Sequence, residues 1–293
     1  FMETTRKRDV YQIVTDRIIA QLEKGVVSWK QNWRKAGAPM NLSTGKSYRG
    51  INVLLLASLG FEQNCFLTLN QLMEFGGTVK NGEKPSPVVY WKTFDREVKE
   101  NGDQPKRKPV LRYYSVYNIT QCEGIPQKDV PNPVKDFNPI QSCEDIVANM
   151  TDRPEIAHNG NEAFYSPKLD FVNMPPKEYF NDEESYYGTL FHELIHSTGH
   201  PKRLSRKELA DETDSRESYS AEELIAELGA CFLSAYGRIE VKHFKNNVSY
   251  IQFWLKELRN DNRVIVYAST HAQKAVDFIL GIKPVTVAKE DAL

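Results

Sequence analysis

The stretch His192-Glu193-Leu194-Ile195-His196 decides how the second half of this chain folds. On an α-helix, residues four apart lie on one face, so His192 and His196 can bind one metal ion together. Glu193 then lies beside the open coordination position, where a base that activates water must stand. The pattern predicts a catalytic metal site on a helix. Zinc suits such a site best, and Mn²⁺ or Co²⁺ could also occupy it.

The flanking residues favour a helix that packs into a core. Asn181 can cap its first turn, and Gly199 can end it. An apolar stripe on the same helix would bury it and hold the histidines rigidly, and it consists of Leu190, Phe191, Leu194 and Ile195. The alternative at this point is a buried helix whose histidines are hydrogen-bonded and bind no metal.

A third protein ligand is expected from residues 219–233, which are apolar enough to form a second buried helix. Acidic side chains on such a helix are costly unless they are paired or bind a metal. We assign Glu223 to the metal, and Glu227, one turn later, to holding the ring N–H of a ligand histidine. In the alternative, Glu223 belongs to a capping box that starts at Ser220, and it only satisfies a backbone N–H.

Other third ligands remain open. Glu222 or Glu227 could take the place of Glu223, and His200 could serve as the third histidine does in some metalloproteases. Those enzymes place that histidine about six residues after the second one, whereas His200 follows His196 by four. We therefore expect His200 near the site or at the surface. An oxyanion-stabilising residue is also needed, and the candidates are Tyr186, Tyr187, Tyr219 and His200.

The two halves of the chain carry opposite charge. Residues 1–126 contain 19 Lys and Arg against 12 Asp and Glu, and the remainder contains 19 against 27. Such a division suggests a basic module that meets polyanions, joined to an acidic module that does not. Prolines interrupt regular structure between them, at positions 126, 131, 133 and 139. We predict a first domain at 1–126, a linker at 127–139 and a second domain at 140–293.

Hydrophobic periodicity predicts mixed helices and strands, and hence an α+β fold, in both domains. In the basic half, helices are expected at 6–24, 51–59 and 68–75, and strands at 78–80, 87–94 and 111–119. In the acidic half, short strands at 163–165 and 168–175 precede the metal helix, and terminal helices are expected at 248–258 and 268–280.

Aromatic residues are interleaved with cations in the basic half. Bases of a single DNA strand can stack on aromatic faces while Lys and Arg follow the phosphates, which gives affinity with little sequence preference. The pairs are Trp29 with Lys30, Trp33 with Arg34, Trp91 with Lys92, and Arg112 with the two tyrosines after it; Lys46, Tyr48 and Arg49 form a further set on the Thr44-Gly45 turn. The partner that this pattern predicts is single-stranded DNA.

Each of these pairs also has a structural interpretation. Trp29 and Trp33 are equally well explained as core residues, and Trp91 with Lys92 fits a half-buried strand. The set on the turn is the strongest, because loops carry binding residues more often than strands do. Duplex DNA is not the expected ligand, since the sequence has no pattern of a recognition helix or ribbon for the major groove.

Composition indicates a cytoplasmic protein. The four cysteines have no CxxC spacing, so we expect reduced thiols rather than disulfides or a zinc knuckle. No apolar run reaches membrane-spanning length, and residues 2–8 are polar and basic rather than like a signal peptide. We therefore expect no membrane partner.

Several of these motifs together resemble the ArdC family of anti-restriction proteins. Residues 192–204 (HELIHSTGHPKRL) and 222–230 (EELIAELGA) look like its zincin-like metallopeptidase domain. Residues 11–15 (YQIVT), 39–52 (PMNLSTGKSYRGIN) and 88–92 (VVYWK) look like its N-terminal domain, which also occurs in plasmid TraC-type primases. The resemblance implies a plasmid- or mobile-element-borne protein that binds single-stranded DNA and carries a metallopeptidase-like site. In zincin folds, an edge strand above the metal helix can hold a peptide by main-chain pairing.

Three functions stay open on this basis. The first is an anti-restriction protein that binds single-stranded DNA and carries a zinc metallopeptidase-like site. The second is an active zinc metalloprotease whose main role is to cleave a host protein or peptide. The third is a DNA-coating protein with a vestigial, structural metal site. The presence of Glu193 favours catalysis, because a structural site needs no general base and normally closes its fourth position.

Overall fold

The computed structural model describes residues 9–30, 33, 37–94, 108–126, 138–207, 216–242 and 248–283. The chain divides into two compact units. The first comprises Phe1–Ser28, Pro39–Asn132 and Val248–Val266, and the second comprises Trp29–Ala38, Pro133–Asn247 and Tyr267–Leu293. Each unit contains helices and sheet, which confirms the α+β fold with two domains. Residues 127–137 of the expected linker lie outside the described residues.

The helices and strands mostly follow the predicted pattern, with shifted ends. In chain order they are α1 (Val10–Glu23), β1 (Met40–Asn41), α2 (Ile51–Ala57), β2 (Cys65–Leu67), α3 (Leu69–Glu74), β3 (Thr78–Val79), β4 (Ser86–Phe94), β5 (Lys108–Asn118), β6 (Cys122–Glu123), α4 (Pro139–Ala148), β7 (Glu155–His158), β8 (Phe164–Ser166), β9 (Phe171–Met174), α5 (Glu183–Thr198), α6 (Arg216–Gly237), α7 (Val248–Asn260) and α8 (Val264–Ile279). The predicted pattern contains no counterpart of α4, β1, β2, β6 or β7.

A four-stranded sheet in the order β1-β2-β5-β4 is the framework of the first unit. β1 is parallel to β2, and the other neighbours are antiparallel, so that β4 and β5 form a long hairpin. Val88 and Val116 of this hairpin are buried against Leu56 of α2 and Phe66 of β2. A small antiparallel pair, β3 with β6, completes the strands described in this unit.

Two helices hold the hairpin and the ends of the first unit in place. Asn52 on α2 pairs with the main chain of Val89 in the edge strand β4, as donor and as acceptor, at 2.8 Å each. Such a pairing covers main-chain groups that an edge strand would otherwise expose. α7 packs on α1, where the Thr15 hydroxyl donates to the carbonyl of Asn262 at 2.7 Å. The first unit therefore includes a segment from late in the chain.

The second unit is built on α5 and α6. The three-stranded sheet β7-β9-β8 packs on α5 through β8 and β9, and α6 packs along α5. The side chain of Asp182 accepts a hydrogen bond from the Ser185 amide at 2.8 Å and caps α5. The prediction of Asn181 as this cap is wrong by one residue, whereas Gly199 ends the helix as predicted.

The four cysteines are all buried and free of disulfides, in agreement with the sequence analysis. Within the described ranges, every helix is too short or too polar to cross a membrane.

Gly229 sets the distance between α5 and α6. A Cβ at this position would lie only 2.6 Å from Cδ1 and 2.7 Å from Cγ1 of Ile195, which precedes His196. Ile195 is fully buried, so it has little space to move away. The glycine therefore lets α6 approach α5 at the level of the second motif histidine.

We predict that Gly229→Ala destabilises the protein. Alanine gains about 1 kcal/mol of helix propensity, but overpacking a core costs about 1–3 kcal/mol, so a net loss of about 1 kcal/mol is expected. In an Ile195→Ala background, the same change should be neutral or stabilising, because the obstructing side chain is gone. Thermal unfolding of the four proteins tests this coupling, and an equal effect of Gly229→Ala in both backgrounds would contradict it.

Candidate metal centre

Three candidate metal ligands converge between α5 and α6. His192 and His196 lie one turn apart on α5, and Glu223 lies on α6. The Nε2 atoms of the two histidines are 3.1 Å apart. One carboxylate oxygen of Glu223 lies 3.5 Å from His192 Nε2, and the other lies 3.4 Å from His196 Nε2. Each of the three residues offers one ligand atom, and these atoms lie within 4.8 Å of one another.

These separations fit a divalent metal ion. Ligand atoms about 2.0–2.1 Å from a tetrahedral zinc lie roughly 3.3 Å from one another. The two Nε2 atoms are 3.1 Å apart, and each has one of the two Glu223 oxygens at 3.4 or 3.5 Å, which is close to that value. Two imidazoles and one carboxylate also leave a fourth position open, as in catalytic rather than structural sites.

A buried carboxylate holds the ring of His196 from behind. Glu222 Oε1 lies 3.1 Å from His196 Nδ1. Arg206 donates from Nε to the other Glu222 oxygen at 2.9 Å and from Nη2 to the carbonyl of Ile195 at 2.8 Å. Glu222 and Arg206 are 4% and 3% exposed, so the ion pair is shielded from water. With Nδ1 engaged, His196 presents Nε2 to the metal position.

Charge holds the metal-free site together. Burial would lower the pKa of His196, but hydrogen bonds to Glu222 and Glu223 outweigh it and raise that pKa to about 10. Burial would raise the pKa of Glu223, yet hydrogen bonds to His192 and His196 hold it well below its usual range. His196 therefore carries a proton at neutral pH, and a metal ion must displace that proton to bind the ring.

Glu193 occupies the place in the motif that a general base requires. It follows His192 on α5, and it is 7% exposed. A carboxylate is costly to bury unless it is paired, protonated or part of a functional site. Proton transfer beside the ligand histidines is such a function.

The role predicted for Glu227 at a ligand histidine is wrong for His196. Glu227 Oε2 accepts a hydrogen bond from Trp29 Nε1 at 2.9 Å in the core. Glu222 takes the place beside His196 Nδ1. Five residues along a helix turn the side chain by roughly 140°, so Glu222 and Glu227 face different neighbours.

Two of the candidate oxyanion-stabilising residues, Tyr186 and Tyr187, have hydroxyls that contact other side chains. The Tyr186 hydroxyl lies 2.9 Å from His158 Nε2, and the Tyr187 hydroxyl donates to Glu144 at 3.0 Å. Both tyrosines line a cavity of about 560 Å³ between α4, β7 and α5. The side chain of Tyr219 lies outside the described residues.

His200 belongs to a polar cluster that follows α5. Its Nδ1 lies 3.8 Å from Asp170, which also pairs with Arg203 and accepts a hydrogen bond from the Tyr165 hydroxyl at 2.9 Å. Burial would raise the pKa of Asp170, but hydrogen bonds from Arg203 and Tyr165 lower it to about 2. The cluster ties the turn between β8 and β9 to the segment that follows the metal helix. His200 is thus outside the converging ligand group.

The predicted DNA contacts divide into exposed and buried residues. Lys30, Lys46 and Arg49 are exposed, and Tyr48 and Arg112 are half-buried. Trp91 is 46% exposed. Arg34 and the side chain of Lys92 lie outside the described residues.

Two of the predicted stacking residues are core residues. Trp29 and Trp33 are 0% and 1% exposed. The prediction that they stack on bases is wrong, because a buried indole offers no face to a ligand. Their position in the second unit, with Trp29 hydrogen-bonded to Glu227, accounts for their burial.

Arg206 is part of the site although the sequence did not indicate it. Nothing in its local sequence distinguishes Arg206 from the other basic residues after α5. Glu222 carried a signal, since a buried acid next to a metal ligand needs a partner, but its direction on α6 could not be read from the sequence.

Comparisons with known proteins identify both domains. Residues 8–117 match the family model for the N-terminal domain of anti-restriction factor ArdC, and residues 141–271 match the model of a zincin-like metallopeptidase. The chain is 32% identical to the uncharacterized protein y4eC of Sinorhizobium fredii, over 92% of this chain and 91% of that protein. It is 31% identical to the DNA primase TraC of Escherichia coli, over 94% of this chain but only 27% of the primase.

Two solved structures resemble the whole chain. Both are of the antirestriction ArdC protein from the R388 plasmid. The metal-free form has a TM-score of 0.76 at 37% identity, over 93% of this chain and 97% of that chain. The Mn(II)-bound form has a TM-score of 0.75 at 36% identity, over 96% of this chain and 100% of that chain.

The fold and the site define a two-domain protein with a zincin-like metallopeptidase domain. The chain belongs to the ArdC family of anti-restriction proteins.

We predict that Glu222→Gln lowers metal affinity about 10–100-fold, because it removes the charge that orients and polarises His196. Glu227→Gln is the matched control on the same helix and should leave metal affinity unchanged, since Glu227 is bonded to Trp29. Competition with a chelator measures both affinities, and thermal unfolding reports any loss of folding. Loss of affinity only in Glu227→Gln would contradict this assignment.

Metal affinity should also rise with pH. Because His196 holds a proton up to about pH 10 in the metal-free protein, affinity should increase about tenfold per pH unit between about pH 6 and 8. The folding stability of the protein without metal should instead fall as the pH rises. A pKa raised in the folded state stabilises the fold below about pH 6.5, and that contribution disappears as the pH rises through the folded pKa. Chelator competition and unfolding at several pH values test both trends, and a flat affinity profile would contradict the first.

Proposed function

We propose that this protein protects incoming DNA from restriction by binding it as a single strand through its first unit, and that its second unit binds one divalent metal ion, zinc foremost. The proposal of a metal ion is supported by the convergence of His192, His196 and Glu223. The Mn(II)-bound ArdC structure supports a divalent ion in a site of this kind.

His192, His196 and Glu223 would hold the ion. When bound, a divalent metal supplies Lewis-acid chemistry, which polarises a carbonyl and makes water more acidic. Glu222 and Arg206 fix the orientation of His196, so that the ring needs no reorganisation to bind. Glu193 accepts a proton and passes it to a leaving group.

The DNA part is supported by charge and exposure. The first unit contains 20 Lys and Arg against 15 Asp and Glu, and the second contains 18 against 24. Lys46 and Arg49 lie exposed on and beside a tight turn, in which the Thr44 amide donates to Asn41 at 3.0 Å. A polyanion is therefore attracted to the first unit and repelled from the second. Coating a strand also needs no specific protease target, which favours protection by shielding.

Peptide-bond hydrolysis is the second candidate function. It is favoured by the buried Glu193 and by β8, an antiparallel edge strand that packs on α5. An extended peptide could pair with such an edge and lie along the metal helix. The substrate would then be a protein that the DNA-bound molecule meets.

Three variants test the proposal in the full-length chain. The parent should bind about one zinc per molecule, as measured by elemental analysis. His196→Ala and Glu223→Ala should lose it, and Glu193→Gln should keep it. Glu193→Gln should also leave the affinity for single-stranded DNA unchanged, because the removed carboxylate contacts no phosphate. DNA affinity should fall steeply with salt and should be weaker for duplex.

Protection from restriction separates the two candidate functions. If shielding is the mechanism, Glu193→Gln protects as well as the parent, and Lys46→Ala with Arg49→Ala does not. A loss of protection in Glu193→Gln, with metal and DNA binding intact, would replace shielding by cleavage. Equal or tighter binding to duplex would contradict the DNA part.

A further inference from the structure

The β4–β5 hairpin exposes aromatic side chains on both of its faces. Its register places Tyr90 and Tyr114 on one face and Trp91 and Tyr113 on the other, since directly paired residues share a face. The four side chains are between 37% and 51% exposed. Several large rings exposed side by side are uncommon on a soluble protein without a partner. The two faces therefore need to be distinguished.

On the first face, three tyrosines form a continuous row, which we call the tyrosine face: Tyr48, Tyr114 and Tyr90. The ring centres of Tyr90 and Tyr114 lie 5.7 Å apart. Tyr48 packs edge-on against Phe66, with ring centres 6.1 Å apart. Tyr48 also lies close to Tyr114. Burial first, and then this neighbouring tyrosine, raise the pKa of Tyr48. The row runs from the turn before α2 across β5 to β4.

Cations accompany this row. Arg112 lies directly opposite Tyr90 in the hairpin and shares its face. Lys46 and Arg49 lie exposed on either side of Tyr48 in sequence. Arg112 thus shares a face with the rings, and Lys46 and Arg49 add positive charge beside Tyr48; single-strand binders combine rings for bases with cations for phosphates in this way.

Both faces also contact the rest of the unit: Val88 and Val116 on the tyrosine face pack against Leu56 and Phe66, and the opposite face contacts α1. Trp91 makes an edge contact with Tyr11 of α1, with ring centres 6.3 Å apart. The guanidinium of Arg263 covers Tyr11 at 5.6 Å from its ring centre. Trp91 therefore packs the hairpin against α1. This packing accounts for a tryptophan at this position without any contact to DNA.

We propose that a single DNA strand crosses the tyrosine face, with bases stacked on Tyr90 and Tyr114 and phosphates near Arg112, Lys46 and Arg49. This inference rests on the proposed DNA binding and assigns it to one surface. The DNA contacts then come from a ring and a cation that face each other across the hairpin, such as Tyr90 and Arg112, and not from sequence neighbours such as Trp91 and Lys92. Adjacent residues within β4 or β5 point to opposite faces of the hairpin, so a ring and the cation next to it in these strands do not share a face.

Binding of a fluorescent oligothymidylate to the full-length chain tests the assignment. Tyr90→Ala and Tyr114→Ala should each weaken binding roughly 5- to 150-fold, which corresponds to the loss of one stacked base. Tyr90→Phe and Tyr114→Phe should bind as the parent does, because stacking needs the ring and not the hydroxyl. The matched control is Tyr113→Ala, which removes a more exposed ring from the other face of β5 and should change nothing.

An abasic strand of equal length separates stacking from charge. The parent should bind it more weakly, and the alanine variants at Tyr90 and Tyr114 should bind it no worse than the parent does. Their salt dependence should match that of the parent, since no phosphate contact is lost. Unchanged binding in both alanine variants, a loss in Tyr113→Ala, or failure of phenylalanine to restore binding would overturn the tyrosine face. If the parent binds no single strand at all, the proposed DNA function itself fails.

Discussion

The close packing of α6 on α5 is the constraint on which the candidate site depends. Two of the three ligands lie on α5 and the third lies on α6, so the separations of 3.4 and 3.5 Å between Glu223 and the two histidines follow from the distance between the helices. Gly229 permits this approach at Ile195, one residue before His196. Arg206 adds a second tie, because it binds both Glu222 on α6 and the carbonyl of Ile195 on α5. The geometry of the ligands therefore depends on the packing of the core. A substitution that moves either helix alters the site even if it changes no ligand.

The local part of this site could be read from the sequence, and the long-range part could not. The spacing of His192 and His196 is a property of one helix, and the structure places both as predicted. The choice among Glu222, Glu223 and Glu227 depends on how α6 is rotated against α5, and that rotation is set by Trp29 and Arg206, which are distant in sequence. The cap of α5 was missed by one residue for a simpler reason, since Asn181 and Asp182 are equally good caps and only the backbone selects between them.

In the basic half, too, contacts between residues distant in sequence could not be predicted. Hydrophobic periodicity predicted its helices and its two long strands but not the short strands β1, β2 and β6, and the pairing of aromatic residues with cations was sought between neighbours in sequence. In a strand, neighbours point to opposite faces, so the meaningful pairs are those across the β4–β5 hairpin, such as Tyr90 with Arg112. Trp29 and Trp33 were misleading because they lie within the basic segment of the sequence but are buried in the other compact unit. Likewise, α7 packs on α1, so a fragment cut at the expected linker would lack part of its own core.

We infer that α5 and α6 together form a metal site with His192, His196 and Glu223 as ligands. Anomalous X-ray diffraction from crystals of this chain grown with zinc would locate the ion. We expect one ion about 2.0–2.2 Å from both Nε2 atoms and from a Glu223 oxygen, with Glu222 still at Nδ1 of His196. An ion bound through Glu222 or Glu227, or one that leaves the two histidines unligated, would contradict it.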